Sequence, residues 1–174
     1  MSRQRSFVAA VVSLTTAVVF AGCSSRGASS LPLQGVDRLV VVKHEHRLSL
    51  YRGGQEVARF HVSLGRGGPG PKLQEGDKKV PEGSYLIVAH NPHSTYHNAL
   101  RVGYPTPIQE AEAKARGVNP GGDIMIHGIH NGFGWLGALQ GYVDWTEGCI
   151  ALTDAQVDAV ARAVPDGTPI VIEH

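Results

Sequence analysis

The amino-acid sequence predicts a mainly β-strand domain of the α+β class, folded as a curled β-sandwich with two short helices. Short segments of alternating or β-branched apolar residues recur along the chain, separated by turns rich in glycine and polar residues. Helical patterns occur only twice. Hydrophobic residues make up 42% and charged residues 18% of the 174 positions, so the chain has enough apolar material for one folded domain.

The predicted strands follow from the apolar segments. In chain order they are residues 38–43, 47–51, 57–64, 85–89, 99–102 and 169–173. The first two strands form a hairpin around the polar residues between them, and the third continues the same sheet. Glycines and prolines are concentrated in residues 65–83, which are therefore predicted to form a loop.

The two predicted helices have clear ends. The first covers residues 108–116, which are rich in Ala and Glu, and stops at Gly117. The second opens at Thr153, which forms a capping box with Gln156, and runs to about Val164.

The N-terminus has the pattern of an export signal. Arg3 and Arg5 precede an uncharged run over residues 7–21, and small residues follow at its end. We therefore predict that residues 1–22 are a cleaved signal, because the run is short for a helix that spans a bilayer. An uncleaved N-terminal anchor is the alternative.

The residues at the end of this run resemble the lipobox of bacterial lipoproteins. The tripeptide Ala21-Gly22-Cys23 carries the resemblance, although Phe20 stands where Leu is usual. The resemblance implies a lipidated Cys23 as the first mature residue and a membrane partner held through this lipid. Residues 23–36 are then the lipidated cysteine and a flexible tether. The export signal and the lipid imply an exported protein at the cell envelope. Ser24, which is not Asp, implies the outer membrane facing the periplasm if the source has two membranes.

Overall charge and cysteine content exclude several classes of protein. The net charge is +1, and the chain has no run of five basic residues, so we expect no nucleic-acid partner. The two cysteines are too few for a disulfide scaffold or a four-thiolate zinc site.

The second cysteine has a histidine as its candidate partner. His127 ends a buried-looking strand, a glycine-rich segment follows, and Cys149 stands just before the capped helix. An imidazole beside a thiol lowers the pKa of the thiol and holds a thiolate ready for attack. Gly148 leaves room for a substrate carbonyl, and the amides of Gly148 and Cys149 are candidate oxyanion donors. The alternative is that Cys149 is a small buried apolar residue.

The motif residues resemble a known family. Ile126-His127-Gly128 followed by Thr146-Glu147-Gly148-Cys149-Ile150 is similar to the signature of the L,D-transpeptidase catalytic domain of the YkuD type. Residues 144–151 are most similar to the branch of that family with an Asp-Trp-Thr-x-Gly-Cys-Ile-Ala motif. The resemblance covers residues 37–174, which are therefore expected to be the catalytic domain.

This resemblance implies a peptidoglycan enzyme whose partners are peptide stems. Cys149 attacks the bond between diaminopimelate and D-Ala of a tetrapeptide stem, and the thioester passes to an amine acceptor. His127 is the general base and later the acid, and the carbonyl of Gly128 holds its other ring nitrogen. Residues implied to line the site or the substrate groove are Thr146, Gly148, Asp144, Trp145, Asn131 and Tyr104.

Two positions depart from the commoner motif. Glu147 stands where His or Lys is usual, and Ala151 replaces an Arg that would pair with a carboxylate. Hydrolysis of a protein–peptidoglycan link by the same cysteine is therefore an alternative reaction. A lipid-anchored wall-binding module without turnover is another alternative.

Other histidines raise the question of a metal site. The histidines in question are His90, His93, His97, His127 and His130. No Glu stands beside a histidine pair as in metallopeptidases, so we expect neither a metal nor a cofactor, and we interpret the additional histidines as exposed loop residues. His130 is the only rival to His127 as the base.

Overall fold

The computed structural model describes residues 33–174, which form strands, two α-helices and two 3-10 segments. The strands are β1 Arg38–Val42, β2 Arg47–Arg52, β3 Gln55–His61, β4 Gly83–Ser94, β5 His97–Val102, β6 Met125–His127, β7 Ile150–Ala151 and β8 Pro169–Glu173. The helices are α1 Pro107–Ala115 and α2 Asp154–Ala163, and the 3-10 segments are Lys43–Glu45 and Gly134–Tyr142.

These strands form one mixed sheet in the order β3-β2-β1-β8-β4-β5-β6-β7. The pairs β1–β8 and β6–β7 are parallel, and the other neighbours are antiparallel. The predicted fold class is therefore confirmed: the sheet is mixed and curled, with short helices.

The long strand β4 produces the curl. Its first residues pair with β8, and its later residues pair with β5. The register shifts between Ile87 and Ala89, where one half of the sheet gives way to the other. An irregularity of this kind bends a strand and increases its twist.

Alternating side chains of the central strands build the core. Leu39 and Val41 of β1 and Ile170 and Ile172 of β8 are almost completely buried. Because side chains on a strand point alternately to opposite faces, each strand places every second residue in this core. Burying such side chains contributes about 1.5–3 kcal/mol each relative to leaving them exposed.

Helix α2 covers the end of the sheet that carries β5 and β6. Its capping box forms as predicted, with Thr153 accepting from the Gln156 amide and Gln156 reaching back to the Thr153 amide. Val157 and Val160, spaced for one helical face, are fully buried. The helix is therefore fixed at its N-terminus, close to the β6–β7 pair.

The structure corrects the predicted end of the fourth strand. The prediction ended at residue 89, but β4 continues to Ser94, so His90 and His93 lie on a strand and not in a loop. Pairing with β5 stabilises this extension. Pro92 is accommodated because the register shifts between Asn91 and Ser94, where the missing N–H of proline is tolerated.

The domain begins slightly earlier than predicted. Val36 is 3% exposed and belongs to the core, and Leu33 packs against that core, so residues 33–36 are part of the domain and not of a flexible tether. The predicted signal, Cys23 and the rest of the tether lie outside the described residues. Within residues 33–174, none of the helices has the length and apolarity needed to cross a bilayer.

A buried ion pair organises the loop predicted over residues 65–83. The Lys72 ammonium lies 2.9 Å from the Asp77 carboxylate, with side chains 4% and 13% exposed. Burial alone would raise the pKa of Asp77, but Lys72 and the amides of Leu73, Gln74 and Lys79 lower it to about 2. The charged carboxylate of Asp77 therefore holds several parts of this loop together.

We expect Asp77→Asn to destabilise the domain by about 2 kcal/mol at pH 7. Because the folded pKa of Asp77 lies below the unfolded value, its stabilisation is present above about pH 4 and is lost as the pH falls towards about 2. Urea unfolding of both proteins, followed by circular dichroism across this range, measures the difference. A difference that stays constant down to about pH 2 would contradict this role for the charge.

Candidate active site

The pairing of β6 with β7 places His127 and Cys149 in the same cleft. Ile126 is opposite Ile150, and both side chains are fully buried in the core. The residues beside them in sequence, His127 and Cys149, therefore project to the opposite face of the sheet. They line a cleft of about 520 Å³ together with Asn91, His93, Ser94, Thr95, Tyr96, Asp123, Met125, Trp145, Thr146 and Glu147.

The segment before Cys149 is clamped at Thr146. The Thr146 amide donates to Leu64 O at 3.1 Å, and the Arg66 amide donates to Thr146 O at 3.0 Å. The buried Thr146 hydroxyl donates to Cys149 O at 2.7 Å and accepts from the Gly148 amide at 3.2 Å. Thr146 therefore fixes the turn that presents the cysteine.

Both the backbone conformation and the close approach of a neighbouring segment require glycine at position 148. Its φ of +127° is rarely adopted by other residues, and a Cβ here would lie 2.9 Å from Lys79 O. A side chain at this position would therefore collide with the loop that carries Lys79.

The two amides predicted as oxyanion donors have different hydrogen bonds. The Gly148 amide is bonded to Thr146, whereas the Cys149 amide has no acceptor among residues 33–174. The geometry therefore assigns Gly148 to the turn and leaves the Cys149 N–H for an incoming oxyanion.

His127 is held in one tautomer. Its Nδ1–H donates to Gly128 O at 2.7 Å, the bond that the family resemblance implies. A neutral ring with a proton on Nδ1 carries its lone pair on Nε2. The side chain is 4% exposed, and burial lowers its pKa despite the bond to Gly128. At neutral pH the ring is therefore a neutral proton acceptor.

Two aromatic rings enclose this imidazole. The Tyr96 ring centroid lies 4.6 Å from that of His127, and the Trp145 centroid lies at 5.6 Å with the rings near perpendicular. Trp145 is itself fixed by its Nε1–H, which donates to Gln140 Oε1 at 2.8 Å. These rings remove water from His127, which explains its lowered pKa.

The Cys149 thiol is partly exposed and bonded to backbone groups. Its Sγ lies 3.6 Å from Asp123 O, and the Met125 amide donates to the sulfur. Burial raises the pKa of the thiol, and the nearby Asp123 carboxylate raises it further. The described hydrogen bonds include none between Cys149 and His127.

The pKa shifts of the two side chains favour a neutral pair over the expected poised thiolate. A thiolate–imidazolium pair needs a protonated histidine, and burial lowers the pKa of His127. The lowered pKa of His127 and the raised pKa of Cys149 both favour a neutral thiol beside a neutral imidazole. It is suited to general-base transfer of the thiol proton to Nε2 during attack.

Charged pairs border the cleft. Asp123 pairs with Arg101 at 2.8 Å, and Glu147 pairs with Arg66 and, at 3.4 Å, with Lys78. Glu147 is 61% exposed, so its pairs contribute little to stability.

The structure places Tyr104 outside the cleft, although it was predicted to line the groove. It is 5% exposed, its ring meets Tyr85 edge to face, and its hydroxyl donates to Pro120 O at 3.1 Å. Burial raises its pKa to about 12. Tyr104 is a core residue.

Asp144 and Asn131 also do not line the cleft, unlike Trp145. The Asp144 carboxylate accepts from the Leu64 amide at 2.8 Å and from His46 Nε2 at 3.1 Å. Asn131 accepts from the His97 amide at 3.0 Å and donates to Ser94 O at 3.2 Å. Asp144 thus fixes the loop after β3, and Asn131 fixes the strand ends at the turn between β4 and β5.

Tyr96 and the backbone groups of Asp123 and Met125 belong to the site but were not predicted from the sequence. Tyr96 lies in the tight turn between β4 and β5. The position of this turn between two predicted strands was the one sequence feature that could have indicated it. Backbone carbonyls and amides leave no residue pattern, so the contacts at the sulfur could not be read from the sequence.

Two of the additional histidines are bonded to carboxylates. His90 bonds Asp166 at 2.6 Å, and His97 bonds Asp158 at 3.0 Å, which raises the pKa of His97. In the described part of the chain, no three His, Cys, Asp or Glu side chains are arranged to hold a metal ion.

Known proteins resemble this chain over most of its length. The YkuD family model, described as the L,D-transpeptidase catalytic domain, matches residues 36–172. YafK of Escherichia coli strain K12, whose name groups it with the L,D-transpeptidases, is 27% identical over 166 residues. That match covers 87% of this chain and 60% of YafK, so the chain spans about 60% of the length of the curated relatives it matches.

Solved structures show the same fold. The helical cell shape determining protein Pgp2 from Campylobacter jejuni is 25% identical, with a TM-score of 0.61 over 84% of this chain and 52% of Pgp2. An L,D-transpeptidase from Mycobacterium smegmatis is 18% identical, with a TM-score of 0.53 over 80% of this chain and 60% of the other. The second similarity concerns the fold alone.

The neutral resting pair predicts slow labelling of Cys149 at neutral pH. We expect its alkylation by iodoacetamide to keep rising beyond about pH 8.5, without a plateau in the neutral range, because the pKa of the thiol is raised. His127→Gln should leave this profile unchanged, since no ion pair is lost. Mass spectrometry of labelled protein gives the rates. A plateau below about pH 7 that disappears in His127→Gln would reveal a thiolate–imidazolium pair instead.

Proposed function

The chain belongs to the L,D-transpeptidase catalytic domain family, and from this membership we propose that Cys149 is the nucleophile of an acyl transfer on peptidoglycan peptide stems. The observation that carries the proposal is the juxtaposition of His127 and Cys149 in one cleft, with Nδ1 bonded to Gly128 O and Nε2 left as a proton acceptor.

Acylation begins with transfer of the thiol proton. As Sγ of Cys149 attacks the carbonyl of diaminopimelate, its proton passes to Nε2 of His127, and the carbonyl oxygen gains negative charge. The Cys149 N–H, which has no acceptor among residues 33–174, donates to this oxygen. The C–N bond then breaks, the imidazolium gives its proton to the amine of D-Ala, and a thioester remains.

Transfer of the acyl group reverses these proton movements. An acceptor amine attacks the thioester and loses a proton to His127, and the departing sulfur receives this proton back. With a second peptide stem as the acceptor, the product is a cross-link between stems. A role of this kind in cell-wall remodelling and cell shape agrees with the name of the similar Campylobacter jejuni protein, a helical cell shape determining protein.

The surroundings of residue 151 favour water as a second acceptor of the acyl group held on Cys149. Ala151 is fully buried, with its backbone bonded to Ser63, so it offers no cation for an acceptor carboxylate. Arg101 is already paired with Asp123 at the border of the cleft. Hydrolysis of an amide between a protein and a peptide stem is therefore the second candidate, with the same Cys149 thioester.

We also propose a lipid anchor at Cys23. The pattern of Arg3, Arg5 and Ala21-Gly22-Cys23 supports export and acylation, and with them a location at the cell envelope. In a source with two membranes, Ser24 favours the outer membrane, with the domain facing the periplasm.

We expect Cys149→Ala and His127→Ala to abolish release of D-Ala from tetrapeptide muropeptides, with a rate loss of at least about 10³-fold. The assay incubates residues 23–174 with purified peptidoglycan and identifies products by mass. Stems joined to each other indicate transpeptidation, and tripeptide stems alone indicate hydrolysis.

His130→Ala is the matched control for the base. Its Nδ1 also donates to a neighbouring carbonyl, Asn131 O at 2.9 Å, but the ring does not line the cleft. This variant should keep D-Ala release within about threefold of the parent. Undiminished release by folded Cys149→Ala, or equal losses in the two histidine variants, would contradict the assignment.

We expect Cys23→Ser to move the protein from the membrane fraction to the soluble fraction of a double-membrane bacterial host. The reason is that acyl chains contribute about 0.8 kcal/mol per buried methylene, and the variant cannot receive them. Cys149→Ser is the control and should remain with the membranes. Detergent-dependent release measured by immunoblot checks the result, and membrane retention of Cys23→Ser would point to an uncleaved anchor instead.

A further inference from the structure

The peptide group between Gly128 and Ile129 is bound on both sides. Its carbonyl accepts the Nδ1–H of His127 at 2.7 Å. The amide N–H of the same peptide group donates to Oδ1 of Asp154 at 2.8 Å. One peptide group thus connects the imidazole to a carboxylate.

We infer that Asp154 is a positioning residue that acts on His127 through this peptide group, an inference that rests on the proposed role of His127. A carboxylate at the amide N–H draws the amide towards its charge-separated form, and the carbonyl oxygen then becomes more negative. When the thiol proton arrives at Nε2, the ring becomes cationic, and its Nδ1–H donates more strongly to this oxygen. The arrangement supplies the effect of a triad carboxylate without direct contact to the histidine.

Local geometry holds the carboxylate at this place. Asp154 is the first residue of α2, directly after the N-cap Thr153, where a negative charge is favoured by the helix dipole. A Cβ on Gly128 would lie 2.7 Å from Asp154 Oδ1, and a Cβ on Gly134 would also collide with this carboxylate. The two glycines therefore allow the loop after His127 to close over Asp154.

The other titratable groups around Asp154 are few. His97 of β5 places Nδ1 4.0 Å from Asp154 Oδ2. Its Nε2 donates to Asp158, one turn later on the same helix, at 3.0 Å. His97 thus offsets part of the acidic charge of α2, while the Ile129 amide donates to Asp154.

The decisive variant is Asp154→Asn, which keeps an acceptor for the Ile129 amide but removes the charge. The loss of charge destabilises the imidazolium, so the pKa of His127 should fall. Acylation by a carbapenem should slow about tenfold at its plateau, and its rise with pH should move to lower pH. The effect is expected to be far below the roughly 10⁴-fold loss seen when a triad carboxylate that touches its histidine is made neutral.

Asp158→Asn is the matched control, since it removes the same charge from the same helix without touching the peptide group. It should leave the rate plateau and the position of the pH profile unchanged. Thermal unfolding of both variants establishes that the fold is retained.

Nuclear magnetic resonance titration of His127 in the Cys149→Ala background tests the inference independently of any substrate. A lower pKa in Asp154→Asn than in Asp158→Asn supports the inference, even if no peptidoglycan product is found. An unchanged pKa of His127 in folded Asp154→Asn overturns it, as does a rate that falls equally at every pH without a shift of the profile.

Discussion

The parallel pairing of β6 with β7 is the constraint on which the rest of the site depends. Ile126 and Ile150 are fully buried in the core. Because side chains alternate along a strand, the neighbouring His127 and Cys149 lie on the cleft face. A slip of one residue in either strand would turn its reactive residue towards the core and its isoleucine towards the cleft. Packing of the two isoleucines in the core therefore holds His127 and Cys149 in place.

Desolvation then sets the protonation states in the cleft. His127 lies among aromatic rings and loses the hydration that would stabilise its cation, and the partly covered Cys149 loses hydration that would stabilise its anion. The thiol proton of Cys149 is therefore expected to pass to His127 only when the sulfur attacks a substrate carbonyl. Such a site limits side reactions of the thiol with other electrophiles in its surroundings.

The support around the two reactive residues comes from distant parts of the chain. The loop after β3 fixes Thr146, and the first residue of α2 contacts the peptide group after His127. Glycines stand where these segments approach most closely, as at Gly128 and Gly148. These contacts explain why motif residues such as Asp144 and Asn131, interpreted from the sequence as groove residues, are bonded to loops instead.

Local periodicity and short motifs were enough to predict the class of fold, the central strands, both helices with the capping box at Thr153, and the pair His127 and Cys149. The folded chain was needed to show the extension of β4 to Ser94, the burial of Tyr104, the place of Tyr96 over the imidazole and the opposite pKa shifts of His127 and Cys149. These features depend on long-range pairing, on backbone donors and on exclusion of water, and none of these has a pattern in neighbouring residues.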